Sequence, residues 1–264
     1  MTETPPLLVE RLGHVLKLTL NRPDSLNALN RPMQHALEEQ YGAAAGDPGV
    51  RVIVITGAGR AFCSGADVGG LKEAAETTND PAQVVVPKFT NRMAGIWKPT
   101  IVAVNGICAG AGLHFVADGD IVIASEAASF VDSHVNVGQV TALEPIGLLR
   151  KMSASAVLRM VILGKAERLS SQQALSDGLV SEVVPAEQLL HRAMALAEIA
   201  AGVSPAAVEG SLKAIWQSYE LPLAEAYARG FDILIRHRSH PDALEGPAAF
   251  MAKREPNWTV LDEQ

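Results

Sequence analysis

A buried strand that runs straight into a glycine-rich turn constrains the fold of this chain more than any other feature. The β-branched apolar run Ile101–Val104 follows Pro99 and is typical of a buried strand. It is followed by Asn105-Gly106, by the small residues 109–112 and by a predicted helix start. Glycines at such a junction bring backbone N–H groups close to a bound group. His114 would lie in the first turn of the helix, so the stretch combines the backbone donors of an oxyanion site with an acid/base side chain.

The composition restricts the class of protein. The 264 residues are 48% hydrophobic, which suffices for a full core. The formal net charge is −7 and no basic run stands out, so nucleic acid is not an expected partner. No apolar run approaches the roughly 18 residues that span a membrane, and the N-terminal residues lack the pattern of a signal peptide, so no membrane partner is expected. Cys63 and Cys108 are therefore expected as free thiols, and the expected location is the cytoplasm.

Strand and helix patterns alternate in the first half of the chain, and helices dominate its last third. We predict strands over 7–10, 15–21, 51–56, 101–104, 120–124, 128–131 and 179–184, a long loop over 57–70, and helices over 29–45, 81–97, 157–163, 170–176, 186–201, 204–217, 222–237 and 241–254. Asn30 is the predicted N-cap of the first helix, and Pro145 is the predicted first residue of another. The pattern indicates an α/β core, residues 1–195, with a C-terminal helical subdomain, residues 196–264, within one structural domain.

A second glycine-rich stretch, Gly57–Asp67, also follows a buried strand. A dinucleotide-binding loop would have a glycine where Phe62 stands, so that interpretation is weak. The stretch is either a plain tight loop or a second source of backbone N–H donors, near Ser64-Gly65, that face the donors near Ala111. No Gly-x-Ser-x-Gly elbow occurs, which argues against a hydrolase triad. Small-residue packing explains the two cysteines better than a nucleophilic role does.

Two histidines are the strongest candidates for side-chain chemistry. No histidine or cysteine spacing is typical of a metal site, so none is expected. His114 is either a hydrogen-bonded core residue or a catalyst. His134 follows a predicted strand, where Asp132 would either orient it or cap the turn. Glu144 precedes Pro145 and is either a helix N-terminal acid or a group that reaches the site.

Several motifs, in order along the chain, carry a resemblance to a known family. They are Leu20–Pro23, Leu26–Leu29, Val52–Gly57, Ala61–Asp67, Lys98–Gly106, the Gly110–Gly112 turn and Phe250–Arg254. Over essentially the whole chain their order and spacing resemble the enoyl-CoA hydratase/isomerase (crotonase) family. The resemblance implies an α/β fold of repeated ββα units forming two sheets, followed by a C-terminal helical trimerisation region.

The resemblance also implies a substrate and its binding residues. The family binds acyl-CoA thioesters and assembles as a homotrimer or a hexamer, a dimer of trimers. Coenzyme A would arrive as part of the substrate, with no permanently bound cofactor. By position, the thioester oxygen would lie between the backbone N–H groups of Ser64 and Ala111. The resemblance assigns CoA contacts to two loops and to a C-terminal lysine from a neighbouring subunit, namely Arg22, Leu26, Ala28, Ala66, Asp67, Val68 and Lys253.

The chain departs from the family at both catalytic positions. The two glutamates of true hydratases align with His114 and His134, so both carboxylates are replaced by imidazoles. Each imidazole can act as acid or base near neutrality, and a close pair would titrate as a coupled system. We therefore predict an enzyme of the hydratase/isomerase type that stabilises a thioester enolate and uses a histidine pair as acid and base. The alternatives are a C–C bond or thioester hydrolase on the same fold, and a non-catalytic acyl-CoA binder.

Overall fold

Two β-sheets of unequal size carry the fold in the computed structural model, which describes residues 4–67 and 88–259. In chain order the described strands are β1 (Leu7–Leu12), β2 (Val15–Leu20), β3 (Val52–Gly57), β4 (Ala61–Cys63), β5 (Thr100–Val104), β6 (Ile107–Ala109), β7 (Ile121–Ser125), β8 (Ser129–Val131), β9 (Leu169–Ser170) and β10 (Glu182–Val184). The larger sheet has the order β1-β2-β3-β5-β7-β10, and the smaller sheet has the order β4-β6-β8-β9. β1 is antiparallel to β2 and β9 to β8, whereas the other neighbours are parallel.

The chain alternates between the two sheets. β3 continues into β4, β5 into β6 and β7 into β8, so each long strand is followed by a short strand of the other sheet. Gly57 and Gly106 lie at two of these corners. A Cβ would lie 2.4 Å from the Ala61 carbonyl oxygen at Gly57 and 2.1 Å from the Arg60 carbonyl oxygen at Gly106. Only glycine fits such corners, and the result is the predicted α/β architecture of repeated units.

Helices surround the sheets and form the C-terminal part of the chain. Those of more than a single 3-10 turn are α1 (Arg31–Gly46), α2 (Leu113–Asp118), α3 (Leu143–Leu148), α4 (Ala154–Leu163), α5 (Ser171–Ser176), α6 (Leu189–Ala201), α7 (Pro205–Ser218), α8 (Leu223–His237) and α9 (Asp242–Ala252). The Asn30 side chain accepts the Met33 N–H at 3.0 Å, which confirms the predicted N-cap of α1. Within the described ranges, no helix combines the length and apolarity that crossing a bilayer requires.

Helix α6 covers one face of the larger sheet. Its residues Ala193 and Ala197 belong to the same buried cluster as Val52, Val54 and Ile101. Helices α1 and α2 contribute to a separate cluster with the opposite side chains of β2 and β3. The predicted boundary between residues 195 and 196 falls inside α6. The division into a core and a C-terminal helical subdomain stays a prediction.

The structure corrects three local predictions. Strand β4 interrupts the loop predicted over 57–70, and β6 follows the Asn105-Gly106 turn. Both are three residues long and lie among glycines, which indicate a loop rather than a strand. Residues 88–97, the described part of the helix predicted over 81–97, form turns. There the Thr90 and Asn91 side chains bond to Asp118 rather than supporting a helix. Pro145 is the third residue of α3, not the first.

Candidate active site

The turn between β6 and α2 presents backbone donors. Residues Gly110–Gly112 form a short 3-10 turn that continues directly into α2. The Ala111 N–H lies at the start of this turn, where backbone N–H groups have no intrahelical acceptor. Gly110 has φ +49, a left-handed conformation that glycine adopts without strain. The turn predicted around Ala111 is therefore present, with its amide edge open.

A second turn, after β4, lies against the first. The Leu29 N–H donates to the Gly65 carbonyl at 2.8 Å and the Asp67 N–H to the Leu29 carbonyl at 3.0 Å, forming a parallel bridge between Leu29 and Ala66. In such a bridge the N–H of the central residue, here Ala66, points away from the partner strand. Among the described residues this N–H has no acceptor. Gly65, with φ +104, packs so closely that a Cβ on it would lie 3.5 Å from the Ala111 nitrogen.

The prediction that the Ser64 backbone N–H is a free donor is wrong. Its backbone N–H donates to the Leu26 carbonyl oxygen at 3.0 Å and is therefore already paired within the protein. Its hydroxyl is directed to the Ser25 carbonyl at 3.4 Å. The unpaired amide belongs to Ala66, two residues further on, which the sequence analysis assigned to CoA contact. The unpaired Ala66 N–H and the Ala111 N–H thus lie on two turns that pack against each other.

His114 is buried and meets a carboxylate. It is the second residue of α2, and its Nε2 lies 3.2 Å from Glu144 Oε1. The Phe89 ring meets the imidazole edge to face, with 5.5 Å between ring centroids. Both side chains of the His114–Glu144 pair are only 8% exposed. The contact between the two side chains is therefore largely screened from solvent.

His134 forms a dyad with Asp132. Its Nδ1 lies 2.8 Å from Asp132 Oδ1, which also accepts the His134 backbone N–H at 3.0 Å. The Thr141 hydroxyl donates to the second carboxylate oxygen at 2.6 Å. The hydrogen bond to Asp132 raises the pKa of His134, against the opposing effect of burial. Burial acts to raise the pKa of Asp132, but the hydrogen bonds from His134 and Thr141 outweigh it and lower that pKa. Asp132 thus orients the imidazole and also caps the turn.

Glu144 lies between the two imidazoles. Its Oε1 is 3.2 Å from His114 Nε2 and 3.8 Å from His134 Nε2. Burial acts to raise the pKa of this carboxyl, but the hydrogen bond from His114 and the charges of both imidazoles hold it below its usual range. The predicted histidine pair is therefore a row, Asp132–His134–Glu144–His114, in which carboxylates and imidazoles alternate. We call these four residues the acid/base row.

The acid/base row lies beside the turn that carries Ala111. A Cβ built on Gly110 would lie 3.5 Å from His134 Cε1 and 3.9 Å from its Nε2. The imidazole therefore packs directly on the residue that precedes the Ala111 amide. A side chain that packs beside a backbone donor can act on the same bound group as that donor.

Most of the predicted CoA-contacting residues form one surface. Arg22 pairs with Asp67 at 3.0 Å and donates to the Ala28 carbonyl at 2.5 Å. Leu26 lies on the same loop with φ +51. Val68, also predicted to contact CoA, lies outside the described residues. Lys253 is exposed at the C-terminal end of α9, and no contact among the described residues joins it to this loop.

Asn27 lies buried beneath this surface and was not predicted from the sequence to have a structural role. It is fully buried with φ +56. Its Nδ2 donates to the carbonyls of Ala58 and Ala61 at 2.9 and 2.8 Å, and its Oδ1 accepts the Arg22 N–H at 2.8 Å. The polar amide of an asparagine in a loop gives no signal in the sequence that it is buried, even beside Leu26 and Ala28. It fastens the loop of residues 22–28 to β4.

The remaining candidates are explained by packing. Cys63 and Cys108 are free and buried on neighbouring strands. Burial raises the pKa of the Cys63 thiol to about 12, so it is not a thiolate nucleophile near neutral pH. Within the ranges that the structure describes, no group of three or more His, Cys, Asp or Glu side chains is arranged to hold a metal ion.

Comparisons with known proteins agree with this fold. The sequence model of the enoyl-CoA hydratase/isomerase family matches residues 10–260. The 2,3-dehydroadipyl-CoA hydratase of Escherichia coli is 36% identical over 255 residues, covering 96% of this chain and 98% of that protein. The carnitinyl-CoA dehydratase of Proteus mirabilis is 34% identical, covering 93% and 95%. The crystal structure of an enoyl-CoA hydratase/isomerase from Mycobacterium paratuberculosis is 41% identical with a TM-score of 0.91, covering 97% and 99%.

Fold and relatives together define an enzyme class. The two-sheet α/β fold with a helical C-terminal region is that of enzymes that process CoA thioesters. The chain belongs to the enoyl-CoA hydratase/isomerase family. The resemblance seen in the sequence motifs and the predicted fold class are thereby confirmed.

Proposed function

We propose that this enzyme hydrates an enoyl-CoA, or catalyses the reverse dehydration, with the acid/base row in place of two glutamates. The observation that carries the proposal is the position of the row, which packs through His134 on the same turn that presents the Ala111 N–H. The thioester oxygen would lie between the amides of Ala66 and Ala111. Two relatives whose names state a hydratase and a dehydratase activity support this reaction class.

The proposed mechanism moves one proton at each end of the double bond. Neutral His134 takes a proton from water through Nε2 while the water oxygen bonds to the β-carbon of the enoyl thioester. The electrons of the C=C bond move to the thioester oxygen, where the two backbone N–H groups stabilise the enolate. Each such donor contributes about 3–4 kcal/mol in other enzymes. The His114–Glu144 pair then gives a proton to the α-carbon, and Asp132 stabilises the imidazolium of His134.

The test is a panel of enoyl-CoA and 3-hydroxyacyl-CoA thioesters with mass detection of products. We expect hydration or dehydration of at least one member, and a loss of about 10²–10⁴-fold in kcat/KM for His134→Ala and for His114→Ala. Undiminished turnover in both variants would show that the imidazoles take no part. Binding without turnover across the panel would support the non-catalytic binder.

A second candidate is hydrolysis of a thioester or of a C–C bond. The observation that favours it is the His134–Asp132 dyad at 2.8 Å, because a carboxylate behind an imidazole is a common way to activate water. The same assay separates the two reactions. Hydration leaves a CoA thioester 18 mass units heavier, whereas thioester hydrolysis releases a free thiol that a disulfide reagent detects.

The CoA moiety would lie on the surface formed by Arg22, Leu26, Ala28, Ala66 and Asp67. This placement rests on the shared position of these residues beside the Ala66 amide. Lys253 would approach the CoA phosphates from a neighbouring subunit. Calorimetry with CoA checks the surface, and Lys253→Gln is expected to weaken binding with little effect on kcat.

We further propose that the chain assembles as a homotrimer or as a dimer of trimers, within the cytoplasm. The supporting observation is the distribution of side chains on α8. Leu223, Tyr227, Phe231 and Leu234 form one exposed row on this helix. The opposite face carries Arg229, Asp232 and Arg236, which line a cavity of about 550 Å³ with α7. An apolar row that faces outward is typical of a subunit interface.

A further inference from the structure

A cluster outside the acid/base row joins the C-terminal helices to the helix that carries His114. The Arg92 guanidinium lies between two indole rings, 4.9 Å from the centroid of Trp97 and 4.9 Å from that of Trp216. Arg92 also pairs with Asp120, two residues after the end of α2. The Trp216 Nε1–H of α7 donates to the same Asp120 oxygen at 2.8 Å. We call Arg92, Trp97, Asp120 and Trp216 the clasp.

Further hydrogen bonds tie the clasp to β5 and tie its neighbours in the chain to the end of α2. The second Asp120 oxygen accepts the Thr100 N–H of β5 at 2.8 Å. Thr90 and Asn91, next to Arg92 in the chain, bond to the side chain and the carbonyl of Asp118 at 2.5 and 3.2 Å. The last residue of α2 is thus held from the same segment of chain that carries Arg92.

The same segment also reaches the imidazole. Phe89 lies three residues before Arg92, and its ring meets His114 at 5.5 Å. His114 and Asp118 are four residues apart on α2, so they lie on one face of the helix. The segment of residues 89–92 therefore joins the clasp, through Arg92, to both α2 and the ring packed on His114.

We propose that Trp216 is a positioning residue for His114, acting through Asp120 and Arg92. This inference rests on the proposed acid/base role of His114. The His114–Glu144 contact is 3.2 Å, at the long end of hydrogen bonding, so a small displacement of α2 breaks it. Misplacement of a catalytic group by 1 Å costs about 10²-fold in rate. The C-terminal helices thereby contribute to catalysis without touching the substrate.

The test compares Trp216→Phe with the matched control Trp258→Phe. Both indoles donate at 2.8 Å, but Trp258 donates to the Gly202 carbonyl and has no contact with the clasp among the described residues. Trp216→Phe keeps an aromatic wall for Arg92 and removes the N–H that binds Asp120. We expect kcat to fall about tenfold with KM unchanged within twofold, while Trp258→Phe keeps wild-type kcat. Arg92→Lys, which keeps the charge but loses the planar stack, should behave like Trp216→Phe.

A spectroscopic readout separates this inference from the proposed function. In protein with ¹³C-labelled histidine, the His114 Cε1–H resonance should move in Trp216→Phe and stay in place in Trp258→Phe, both measured well below their melting temperatures. The positioning role is overturned if Trp216→Phe and Arg92→Lys are folded, keep wild-type kcat and leave the His114 Cε1–H resonance in place. A moved resonance in an enzyme whose turnover does not depend on His114 leaves the positioning intact and rejects the proposed function.

Discussion

Asp132 both orients the His134 imidazole and raises its pKa. Asp132→Asn weakens the hydrogen bond that raises the pKa of His134, because a neutral amide oxygen is a poorer acceptor than a carboxylate, and it also removes the negative charge of Asp132; that pKa therefore falls toward its ordinary value. A general base must be neutral, and we therefore expect the acid limb of the kcat/KM profile to move to lower pH. The plateau should fall about 10²-fold because the imidazolium is less stabilised. Asp177→Asn, at the C-terminal end of α5, is the control and should keep both limb and plateau.

The raised pKa of His134 also predicts how stability depends on pH. Between the unfolded value of about 6.5 and the raised value, the folded protein binds more protons than the unfolded chain. The contribution of His134 to stability is therefore complete below about pH 6.5 and is lost as pH rises through the folded pKa. We expect the difference in unfolding free energy between wild type and His134→Gln to be larger at pH 6 than at pH 9. Urea denaturation at both values measures it, and a difference that grows with pH contradicts the assignment.

Gly65 is where a methyl group would enter the proposed oxyanion site. In Gly65→Ala, the new Cβ would lie 3.1 Å from the Ala109 carbonyl and 3.5 Å from the Ala111 nitrogen. We expect kcat to fall about 10²-fold or more, as on removal of an oxyanion donor. Gly13→Ala is the matched control, because Gly13 also has positive φ, +60, but nothing within 4 Å of its Cβ. Equal losses of activity in the two variants would mean that backbone strain, not the site, is responsible.

At the scale of single residues, only part of the candidate site could be predicted from the sequence. The Ala111 turn could be predicted because its glycines and the following helix are adjacent in the chain. The second donor could not, because the bridge between Leu29 and Ala66 decides which amide is free. Glu144 was only a secondary candidate since its role depends on how α3 packs beside α2. In both cases the decisive contact is long-range.

Among elements, the loop of residues 22–28 depends on one buried side chain. Asn27→Ala would leave the Ala58 and Ala61 carbonyls and the Arg22 N–H without their partner. Because buried unpaired groups are costly, we expect a loss of about 2–3 kcal/mol in unfolding free energy. CoA binding should weaken as well, since Arg22 and Ala28 lie on this loop. Asn21→Ala, which removes one exposed bond to the Pro5 carbonyl, is the control and should cost much less.

Elements with strong local signals could be predicted, and short ones could not. The helices α7, α8 and α9 lie close to their predicted ranges because proline or serine at their starts and apolar periodicity mark them. Strands β4 and β6 escaped prediction because each is only three residues long and lies within a glycine-rich stretch, which indicates a loop. The turns of residues 88–97 replaced a predicted helix because the side chains of Thr90 and Asn91 bond to Asp118.

At the scale of the whole molecule, α8 exposes its apolar face and turns its polar face inward, the reverse of a surface helix in a monomer. Its polar face turns toward the cavity with α7, while Leu223, Tyr227, Phe231 and Leu234 are 68, 72, 63 and 51% exposed. Leaving such side chains in water costs roughly 25 cal/mol per Å² of apolar surface that a partner would otherwise cover. Association between copies of the chain removes that cost. The assembly also brings a neighbour's C-terminal region near the CoA surface in the proposed arrangement.

Phe231→Asp tests this arrangement. A carboxylate in the centre of an apolar interface has no partner and would be desolvated, so we expect sedimentation to shift from trimer or hexamer to monomer. Arg229→Asp adds a carboxylate to the opposite face of α8 and should leave the assembly state unchanged. If Lys253 of a neighbouring subunit approaches the CoA phosphates, the monomeric variant should also bind CoA more weakly, by about as much as Lys253→Gln does in the assembled enzyme. A monomeric wild type, or Phe231→Asp that stays assembled, would reject α8 as the interface.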